Sequence, residues 1–392
     1  MHFQACFCNF AFSNYKKMYE RTIRDLFDKW LYSREILILY GARQVGKTTL
    51  LKQMFLNRKD AVILNCELPE IFDVLQSRDK ARLQFLFGNH KIVALDEAQA
   101  VPEIGRTLKI IYDELPQYKI VVTGSSSFEL SSFITEALTG RNIKFRMFPL
   151  TLTEISQKYS GHQLSEKLKD ILVFGNYPGL IDLGYDTKIT KLNELTSDYL
   201  FKDVLIHESI KNPGILRKLL KALAFQIGSQ VSTNELAGML GIARQTIEKY
   251  IDMLEKSFII FRLGSYSGNL RNEIKKSTKI FFYDNGIRNG IINDLSPVEN
   301  RQDTGALWEN FCVSEIVKQK LTSGINSEFY FWRTYDGAEI DLVEIKDGII
   351  NAHEFKWKQK RKPKIPASFN EKYKPASYRV INYQNFYELL NL

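Results

Sequence analysis

Long apolar runs and cysteines are both scarce in this sequence of 392 residues. No apolar run approaches the roughly 18 residues that a membrane-spanning helix needs, so we expect no integral membrane protein. The apolar and aromatic start, "MHFQACFCNFAFSNY", lacks a basic segment and a small-residue cleavage signature. We therefore expect no secretory signal at this position.

The few thiols and imidazoles show no metal-binding pattern. The sequence has five scattered histidines and four cysteines, which are Cys6, Cys8, Cys66 and Cys312. A lone C-x-C is not a zinc spacing, so we expect neither structural zinc nor disulfides. Reduced, isolated cysteines are typical of the cytoplasm, which is the expected location.

A glycine-rich turn follows a short apolar run. The run from Ile36 to Tyr40 has no polar alternation and is typical of a strand buried on both faces of a parallel sheet. From Gly41 to Thr48 the spacing is G-x-x-x-x-G-K-T, which lets backbone amides at a helix N-terminus bind a polyphosphate. We predict that Lys47 reaches the terminal phosphates and that the Thr48 hydroxyl binds Mg²⁺. The predicted nucleotide-binding residues are Gly41, Ala42, Arg43, Gln44, Val45, Gly46, Lys47, Thr48, Thr49 and Asp96.

Two adjacent carboxylates end a second apolar run. Lys91 to Leu95 reads as a buried strand and is followed by Asp96 and Glu97. Because open α/β sheets bind ligands at the carboxyl ends of their strands, we predict Asp96 as a magnesium ligand and Glu97 as the general base. The alternative is a pair of ordinary surface charges.

Further polar residues follow the next two strand-like runs. The run from Lys119 to Thr123 leads into serines that begin at Ser125, and these hydroxyls can contact a γ-phosphate or the attacking water. Which hydroxyl does so stays open. Arg141 precedes a fourth run, residues 143–150, and can either serve a neighbouring subunit as an arginine finger or be a surface arginine.

These motifs together resemble those of an AAA+ ATPase. The segments are "GARQVGKTTLL", "IVALDEAQ", "VVTGSSS" and "LTGR", and more narrowly they resemble bacterial and archaeal ATPases that carry a C-terminal domain of unknown function. The resemblance extends over about residues 20–392. It implies magnesium-dependent ATP hydrolysis by Lys47, Thr48, Asp96 and Glu97. It also implies Ser125 or Thr123 as a sensor, and Arg141 as a finger in a homo-oligomer.

The middle of the chain predicts helices and then a helix-turn-helix unit. Residues 151–228 read as a helical lid with a turn at 175–180, and Ser232 with Glu235 fits a capping box. Two helices and the strand-like "FIIFRL" then form a winged helix-turn-helix pattern. Arg244, Gln245 and Lys249 on its second helix either face a nucleic-acid groove or belong to a unit that only packs the lid onto the next domain.

The last part of the chain carries a second set of charged residues. Glu309 lies in a helical pattern, Asp341 in a strand-like run, and Glu354 and Lys356 two residues apart on one strand face. A nuclease needs paired carboxylates for magnesium and a lysine near the water. The set resembles the PD-(D/E)xK restriction-endonuclease-like core, with Ile340 in place of the usual proline. By position, Asp341 and Glu354 are then metal ligands, Lys356 the catalytic lysine and Glu309 the helix carboxylate, in a module that cleaves or only binds DNA.

Positive charge is concentrated near the end of the sequence. Residues 351–392 contain seven Lys and two Arg against three Glu, a net charge of +6 out of +9 for the chain. The basic run "KWKQKRKPK" is either a solvated segment or a contact surface for a phosphate backbone.

The length predicts two or three domains. The expected fold class is α/β, with a P-loop AAA+ parallel-sheet domain over residues 20–150, a helical lid with a winged helix-turn-helix over 151–265, and a restriction-endonuclease-like domain over 266–392. The expected function is ATP hydrolysis with Mg²⁺, coupled to DNA or to a DNA-bound partner. The alternatives are an ATP-controlled regulatory switch with slow turnover and an ATP-gated, magnesium-dependent nuclease.

Overall fold

The computed structural model describes residues 18–124, 138–199, 212–267, 278–358 and 363–391. Within these residues the strands form a five-stranded sheet and a seven-stranded sheet. The candidate sensor Ser125 lies outside the described residues. Among the described helices, none combines the length and the apolar character needed to cross a bilayer.

The first sheet is parallel throughout and has the order β2-β3-β4-β1-β5. Its strands are β1 Ile36–Tyr40, β2 Ala61–Asn65, β3 Ile92–Asp96, β4 Lys119–Gly124 and β5 Asn142–Arg146. Strands β1, β3 and β4 confirm three of the predicted buried runs, whereas β5 ends four residues before the predicted Leu150. The carboxyl ends of β3, β4 and β1 meet at one edge of the sheet.

Both faces of this sheet are covered, which explains why β1 has no polar alternation. Leu37 and Leu39 belong to one buried apolar cluster, and Ile36 and Ile38 belong to another on the opposite face. The helices that surround the sheet are α1 Ile23–Trp30, α2 Lys47–Phe55, α3 Pro69–Ser77, α4 Lys80–Phe87 and α5 Ile104–Glu114.

A helical segment follows β5, as predicted for residues 151–228. Its helices are α6 Leu152–Ser156, α7 Gly161–Phe174, α8 Tyr185–Glu194 and α9 Pro213–Phe225, and a π-helical turn spans Leu195–Tyr199. Thr151 caps α6 in a capping box with Glu154, so the start of this helix is fixed by its own side chains.

Two further helices and three strands come next: β6 Gln230–Val231, α10 Thr233–Leu240, α11 Arg244–Lys256, β7 Ile260–Ser265 and β8 Thr278–Phe282. Ser232 accepts a hydrogen bond from the Glu235 amide at 3.3 Å, as expected of an N-cap. Helix α10 stops at Gly241, whose φ of 66° is favourable for glycine. Strand β8 pairs with both β6 and β7, so the predicted boundary at 265/266 falls between two paired strands.

The second sheet has the order β12-β11-β10-β9-β7-β8-β6. The remaining elements are α12 Asn285–Ile292, α13 Thr304–Thr322, β9 Glu328–Arg333, β10 Glu339–Lys346, β11 Ile349–Lys356, α14 Ala367–Tyr373 and β12 Ser377–Asn382. Strands β9, β10 and β11 are antiparallel, while β12 pairs with β11 and β7 pairs with β9 in parallel. The sheet thus joins strands from both sides of the predicted boundary.

Helix α13 is buried along most of its 19 residues and contacts strands of both sheets, namely β5, β8 and β11. Its Glu315 and Lys318 form a buried ion pair of 2.5 Å. The Glu315 carboxylate also accepts a hydrogen bond from the Leu152 amide at 2.6 Å, and Lys318 Nζ donates to the Leu150 carbonyl at 3.3 Å. These bonds fasten the helix to the segment that leaves β5.

Candidate functional site

The predicted phosphate loop connects the end of β1 to the first residue of α2. Gly46 has a φ of 99°, in the left-handed region that favours glycine. Gly41 is required for a different reason, because a Cβ there would lie 2.0 Å from the Met147 carbonyl oxygen. The two glycines therefore give the loop its turn and its close approach to the chain after β5.

The lysine of this loop is buried and held by the loop itself. Lys47 is 4% exposed, and its Nζ donates to the carbonyls of Gly41 at 2.9 Å and Ala42 at 2.8 Å. These acceptors are neutral, so a phosphate oxygen is a stronger partner for the ammonium. The carbonyls of the loop therefore position the Lys47 ammonium.

Two hydroxyls converge on Asp96 at the end of β3. Thr48 donates to Asp96 Oδ2 at 2.8 Å, and Thr123 at the end of β4 donates to Asp96 Oδ1. A hydroxyl and a carboxylate are oxygen donors of the kind that Mg²⁺ prefers. The residues present at this edge therefore fit a magnesium ion.

Glu97 follows Asp96 in a left-handed conformation, with a φ of 54°. Its amide donates to Thr123 Oγ1 at 3.2 Å, and its carboxylate accepts a hydrogen bond from Gln99 Nε2. A non-glycine residue with positive φ is uncommon, so the turn that carries this carboxylate is held by specific contacts. These contacts orient the Glu97 side chain at the same strand end as Asp96.

Sequence reasoning missed one residue that braces the phosphate loop. Arg21, 7% exposed, donates to the Val45 carbonyl at 2.6 Å and to the Phe148 carbonyl at 2.6 Å. Its Nε also donates to Glu154 at 3.0 Å, and that carboxylate is fully buried. No local pattern marks Arg21, because its partners come from the loop, from the chain after β5 and from α6.

Arg141 lies at the opposite edge of the first sheet from Lys47. It directly precedes β5, and its carbonyl accepts from the amide of Ile36, the first residue of β1. Its guanidinium forms an ion pair of 3.1 Å with Asp113. Within one chain it is therefore remote from the phosphate loop, and a finger role in a neighbouring copy stays a prediction.

The four predicted nuclease-like residues lie together in the second sheet and α13. Lys356 Nζ is 2.6 Å from Glu354 Oε1 and 3.6 Å from Asp341 Oδ2. Asp341 Oδ2 also accepts a hydrogen bond from the Phe355 amide at 2.7 Å. Glu309 approaches from α13. Strand pairing between β10 and β11 thus brings Asp341, Glu354 and Lys356 to one place.

The same cluster contains two residues that the sequence did not mark. Lys279 on β8 lies 3.0 Å from Glu309 Oε1 and 2.6 Å from Glu339 Oε1. Neither Lys279 nor Glu339 belongs to the D…E-x-K spacing, so only the strand order places them there. We refer to these six residues, Lys279, Glu309, Glu339, Asp341, Glu354 and Lys356, as the carboxylate cluster.

Burial dominates the electrostatics of the carboxylate cluster. It raises the pKa of Asp341 and of Glu354, and together with the Asp341 charge it raises the pKa of Glu309 to about 7. Burial alone lowers the pKa of Lys279 and Lys356, but the neighbouring carboxylates outweigh it, so both pKa values are raised. Both lysines therefore stay charged at neutral pH.

The carboxylate cluster offers few donor atoms to a metal ion. In the described parts of the chain, no group of three or more His, Cys, Asp or Glu side chains is arranged to hold one. However, Glu354 Oε2 is buried and has no hydrogen-bond partner among the described residues. With Asp341 beside it, this free oxygen fits a single divalent cation.

The predicted DNA-contacting residues are exposed on helix α11. Arg244 is its first residue and forms an ion pair of 2.8 Å with Glu248, while Gln245 and Lys249 are exposed. Glu248 therefore reduces the positive charge of this surface.

Comparison with known proteins gives matches along most of the chain. A family model described as an AAA domain matches residues 33–156. Two models described as domains of unknown function, DUF8612 and DUF4143, match residues 165–298 and 304–389.

Similar proteins occur in bacteria and archaea. An uncharacterized protein of Mycobacterium tuberculosis is 26% identical over 321 residues, covering 80% of this chain and 68% of its own. An uncharacterized protein of Methanocaldococcus jannaschii is 28% identical over 342 residues, covering 80% and 73%. A Walker-type ATPase of Pyrococcus abyssi of known structure is 18% identical, with a TM-score of 0.49, and covers 70% of this chain and 96% of that one. Residues 33–156 are thus similar to an AAA domain, and the two regions that follow are similar to domains of unknown function.

Proposed function

We propose that this chain is a P-loop AAA+ ATPase that hydrolyses ATP with Mg²⁺ at the edge formed by β1, β3 and β4. One observation carries the proposal. The Asp96 carboxylate accepts from the hydroxyls of Thr48 and Thr123, directly beside the loop that holds Lys47. Loop, lysine, hydroxyl and carboxylate are the parts that phosphoryl transfer requires.

The residues of the loop bind and orient the triphosphate. Lys47 exchanges its carbonyl acceptors for oxygens of the terminal phosphates, and the amides at the start of α2 face the same charge. Thr48 and Asp96 would hold the magnesium ion, which neutralises charge on the β- and γ-phosphates when bound. Arg21 keeps the Val45 carbonyl, and with it the loop, in place.

Glu97 removes a proton from the attacking water. Its backbone bond to Thr123 and the contact from Gln99 fix the carboxylate after the strand end, where a general base is needed. Thr123, which bonds both Asp96 and Glu97, is a candidate for the sensor, and Ser125 remains the other candidate.

ATP turnover by the purified full-length chain tests this proposal. Lys47→Ala is expected to abolish hydrolysis, and Glu97→Gln to lower kcat by about 100-fold or more while ATP still binds in calorimetry. Lys52→Ala, an exposed change on the same helix, is the matched control and should retain full activity. Tight ATP binding with negligible turnover in the wild type would instead support the alternative of a regulatory switch. Absence of ATP binding in the presence of Mg²⁺ would overturn both.

We further propose that turnover is coupled to DNA or to a DNA-bound partner through a winged helix-turn-helix unit. The support is topological: α9, β6, α10, α11, β7 and β8 follow one another as in winged helices, and the three strands pair in the order β6-β8-β7. The exposed Arg244, Gln245 and Lys249 lie on the helix that would enter a groove. DNA should therefore stimulate the ATPase rate. An unchanged rate, with no DNA binding at low salt, would favour a role in protein packing.

The carboxylate cluster supports a second candidate activity, magnesium-dependent cleavage of DNA gated by ATP. Asp341 and Glu354 would hold the ion, and Lys356 would orient the water. Plasmid nicking with Mg²⁺ or Mn²⁺ tests it. Nicking that survives Asp341→Asn would exclude this site. The mass of the chain in solution with and without ATP tests the proposed homo-oligomer, in which Arg141→Ala should lower turnover without lowering ATP affinity.

A further inference from the structure

The two lysines of the carboxylate cluster differ in freedom. Lys356 has a side chain that is 43% exposed, so solvent surrounds part of it and it can turn away from its carboxylates. The side chain of Lys279 is only 3% exposed. Its backbone lies within a strand that is paired on both sides, opposite Gln230 and Leu263. Lys356 also lies in a paired strand, opposite Asn382, so the difference between the two lysines is in the exposure of their side chains.

The ammonium of Lys279 is placed as a bound cation would be. It lies between Glu309 and Glu339, at 3.0 Å and 2.6 Å from one oxygen of each, and 5.4 Å from the centre of the Phe331 ring. These carboxylates come from α13 and from the first residue of β10. Without the ammonium, two partly buried carboxylates beside Asp341 would need another cation.

Asp341 and Glu354 form the other half of the cluster and remain open to a ligand. Glu354 is 8% exposed, and its Oε2 has no hydrogen-bond partner within the described residues. The partly exposed Lys356 is the lysine within 4 Å of these two carboxylates among the described ion pairs, at 2.6 Å from Glu354 and 3.6 Å from Asp341. One half of the cluster thus has an almost fully buried ammonium and the other half a partly exposed one.

We propose that Lys279 permanently occupies the position of a second divalent cation, so that the cluster takes a single Mg²⁺ or Mn²⁺ at Asp341 and Glu354. The proposal deepens the candidate metal-dependent activity and rests on that site being used. It places the cluster among sites in which one ion and a lysine replace the symmetric pair of ions of two-metal sites. A second dication is excluded because it would be repelled by the ammonium of Lys279, and this repulsion is strong in a partly buried setting.

Counting bound Mn²⁺ tests the proposal without any activity assay. Nucleotide-free full-length protein is dialysed against Mn²⁺, and the metal is counted in the wild type, Asp341→Asn and Lys279→Met. The difference between wild type and Asp341→Asn counts the ions of this cluster and subtracts any ion at Thr48 and Asp96. We expect this difference to be one ion, and we expect Lys279→Met to bind one ion more than the wild type.

Lys320→Met is the matched control. Lys320 is a partly buried lysine paired with a glutamate, 3.1 Å from Glu344 Oε1, on the same helix as Glu309 but outside the cluster. It should bind as many ions as the wild type. In addition, Mn²⁺ should raise the melting temperature of Lys279→Met more than that of the wild type or of Lys320→Met, because the added ion restores the missing positive charge.

Each outcome decides the matter. Two ions at the wild-type cluster, or no additional ion in a folded Lys279→Met protein, would overturn the proposal. If Lys279→Met does not fold even with Mn²⁺, the wild-type count decides, with one ion supporting the proposal and two ions or none overturning it. No ion in the wild type would overturn the proposal whatever Lys279→Met binds. One ion in the wild type without any metal-dependent nicking of DNA would instead overturn the cleavage activity alone, so failure of the two proposals is distinguishable.

Discussion

The nucleotide edge of the first sheet and the carboxylate cluster of the second both combine lysine with acidic side chains, but they neutralise the acidic groups differently. Asp96 is bound by the neutral hydroxyls of Thr48 and Thr123, while Lys47 bonds main-chain carbonyls. Glu309 and Glu339 are instead bound by the ammonium of Lys279. A dication entering the first site displaces only neutral donors. A dication at the second site would meet the charge of Lys279, whose side chain is 3% exposed. We therefore expect metal binding to be favoured at the first site and restricted at the second.

The largest expected effect concerns the separation of the two sites. Asp96→Asn should lower ATP turnover by about 100-fold or more, because the amide is a poor ligand for an ion that supplies several kcal/mol of transition-state stabilisation. Asp341→Asn, the same change in the other site, should leave basal turnover within about twofold of the wild type. Steady-state kinetics over a range of Mg²⁺ concentrations checks both. Equal losses in the two variants would show that the sites do not act separately.

The next effect concerns the bracing of the phosphate loop. Arg21→Met should destabilise the protein by about 3 kcal/mol or more, because Glu154 would be left buried without its partner. At temperatures where the variant is folded, we expect a higher KM for ATP with a smaller change in kcat, since Arg21 positions the loop and touches no reacting atom. Urea unfolding and kinetics measure the two quantities.

Arg24→Met is the control for this variant. Arg24 pairs with Asp28 on the exposed face of α1 at 3.7 Å, and exposed pairs contribute at most about 1 kcal/mol. An Arg21→Met protein with normal stability and a normal KM would show that the three hydrogen bonds of Arg21 do not support the loop.

A smaller effect is expected from the pH dependence of the carboxylate cluster. Burial, with the Asp341 charge, raises the pKa of Glu309 from 4.5 to about 7, so the folded state binds more protons than the unfolded state between these values. Protonation of Glu309 thus contributes up to ~3 kcal/mol to the free energy of unfolding. This contribution is fully present below pH 4.5 and is lost as the pH rises through 7. Glu309→Gln should therefore flatten the stability profile between pH 5 and 8. Urea unfolding at several pH values measures it, with the exposed Glu328→Gln as a control that keeps the wild-type slope.

The smallest effect concerns helix α11. Lys249→Ala should weaken DNA binding about equally for different sequences and reduce the salt slope by about one, as loss of a single phosphate contact does. Lys218→Ala, an exposed lysine on α9, is the control. Binding titrations at several salt concentrations check the prediction. An unchanged slope would remove Lys249 from the proposed interface.

The residues of the two sites that the sequence could predict are those that a local pattern marks. The nucleotide edge follows from runs of consecutive residues: an apolar strand, an eight-residue loop and a helix, or a strand ending in two carboxylates. Local geometry fixes these relations, so Lys47, Thr48, Asp96 and Glu97 could be named, and the structure brings them to one edge. Asp341, Glu354 and Lys356 could be named because two adjacent antiparallel strands carry them.

Residues that act across the fold could not be found in this way. Arg21 braces a loop 24 positions further along the chain, and Lys279 reaches Glu309, 30 positions away, only because β8 lies beside β7 in a sheet that continues into β9. Likewise, the sequence could not show that strands on both sides of the predicted boundary at 265/266 belong to one sheet. A local pattern shows where a strand ends, but it does not show which strand becomes its neighbour.

Helix α13 has a practical consequence for dissecting the protein. Because its sides contact β5 of one sheet and β8 and β11 of the other, a cut that releases everything after about residue 300 removes the wall against which the amino-terminal fragment packs. Such a fragment would expose apolar surface and lose the hydrogen bonds that Glu315 and Lys318 form with the backbone of Leu152 and Leu150. The isolated amino-terminal fragment should therefore aggregate during purification. Co-expression of the two fragments should restore a soluble complex.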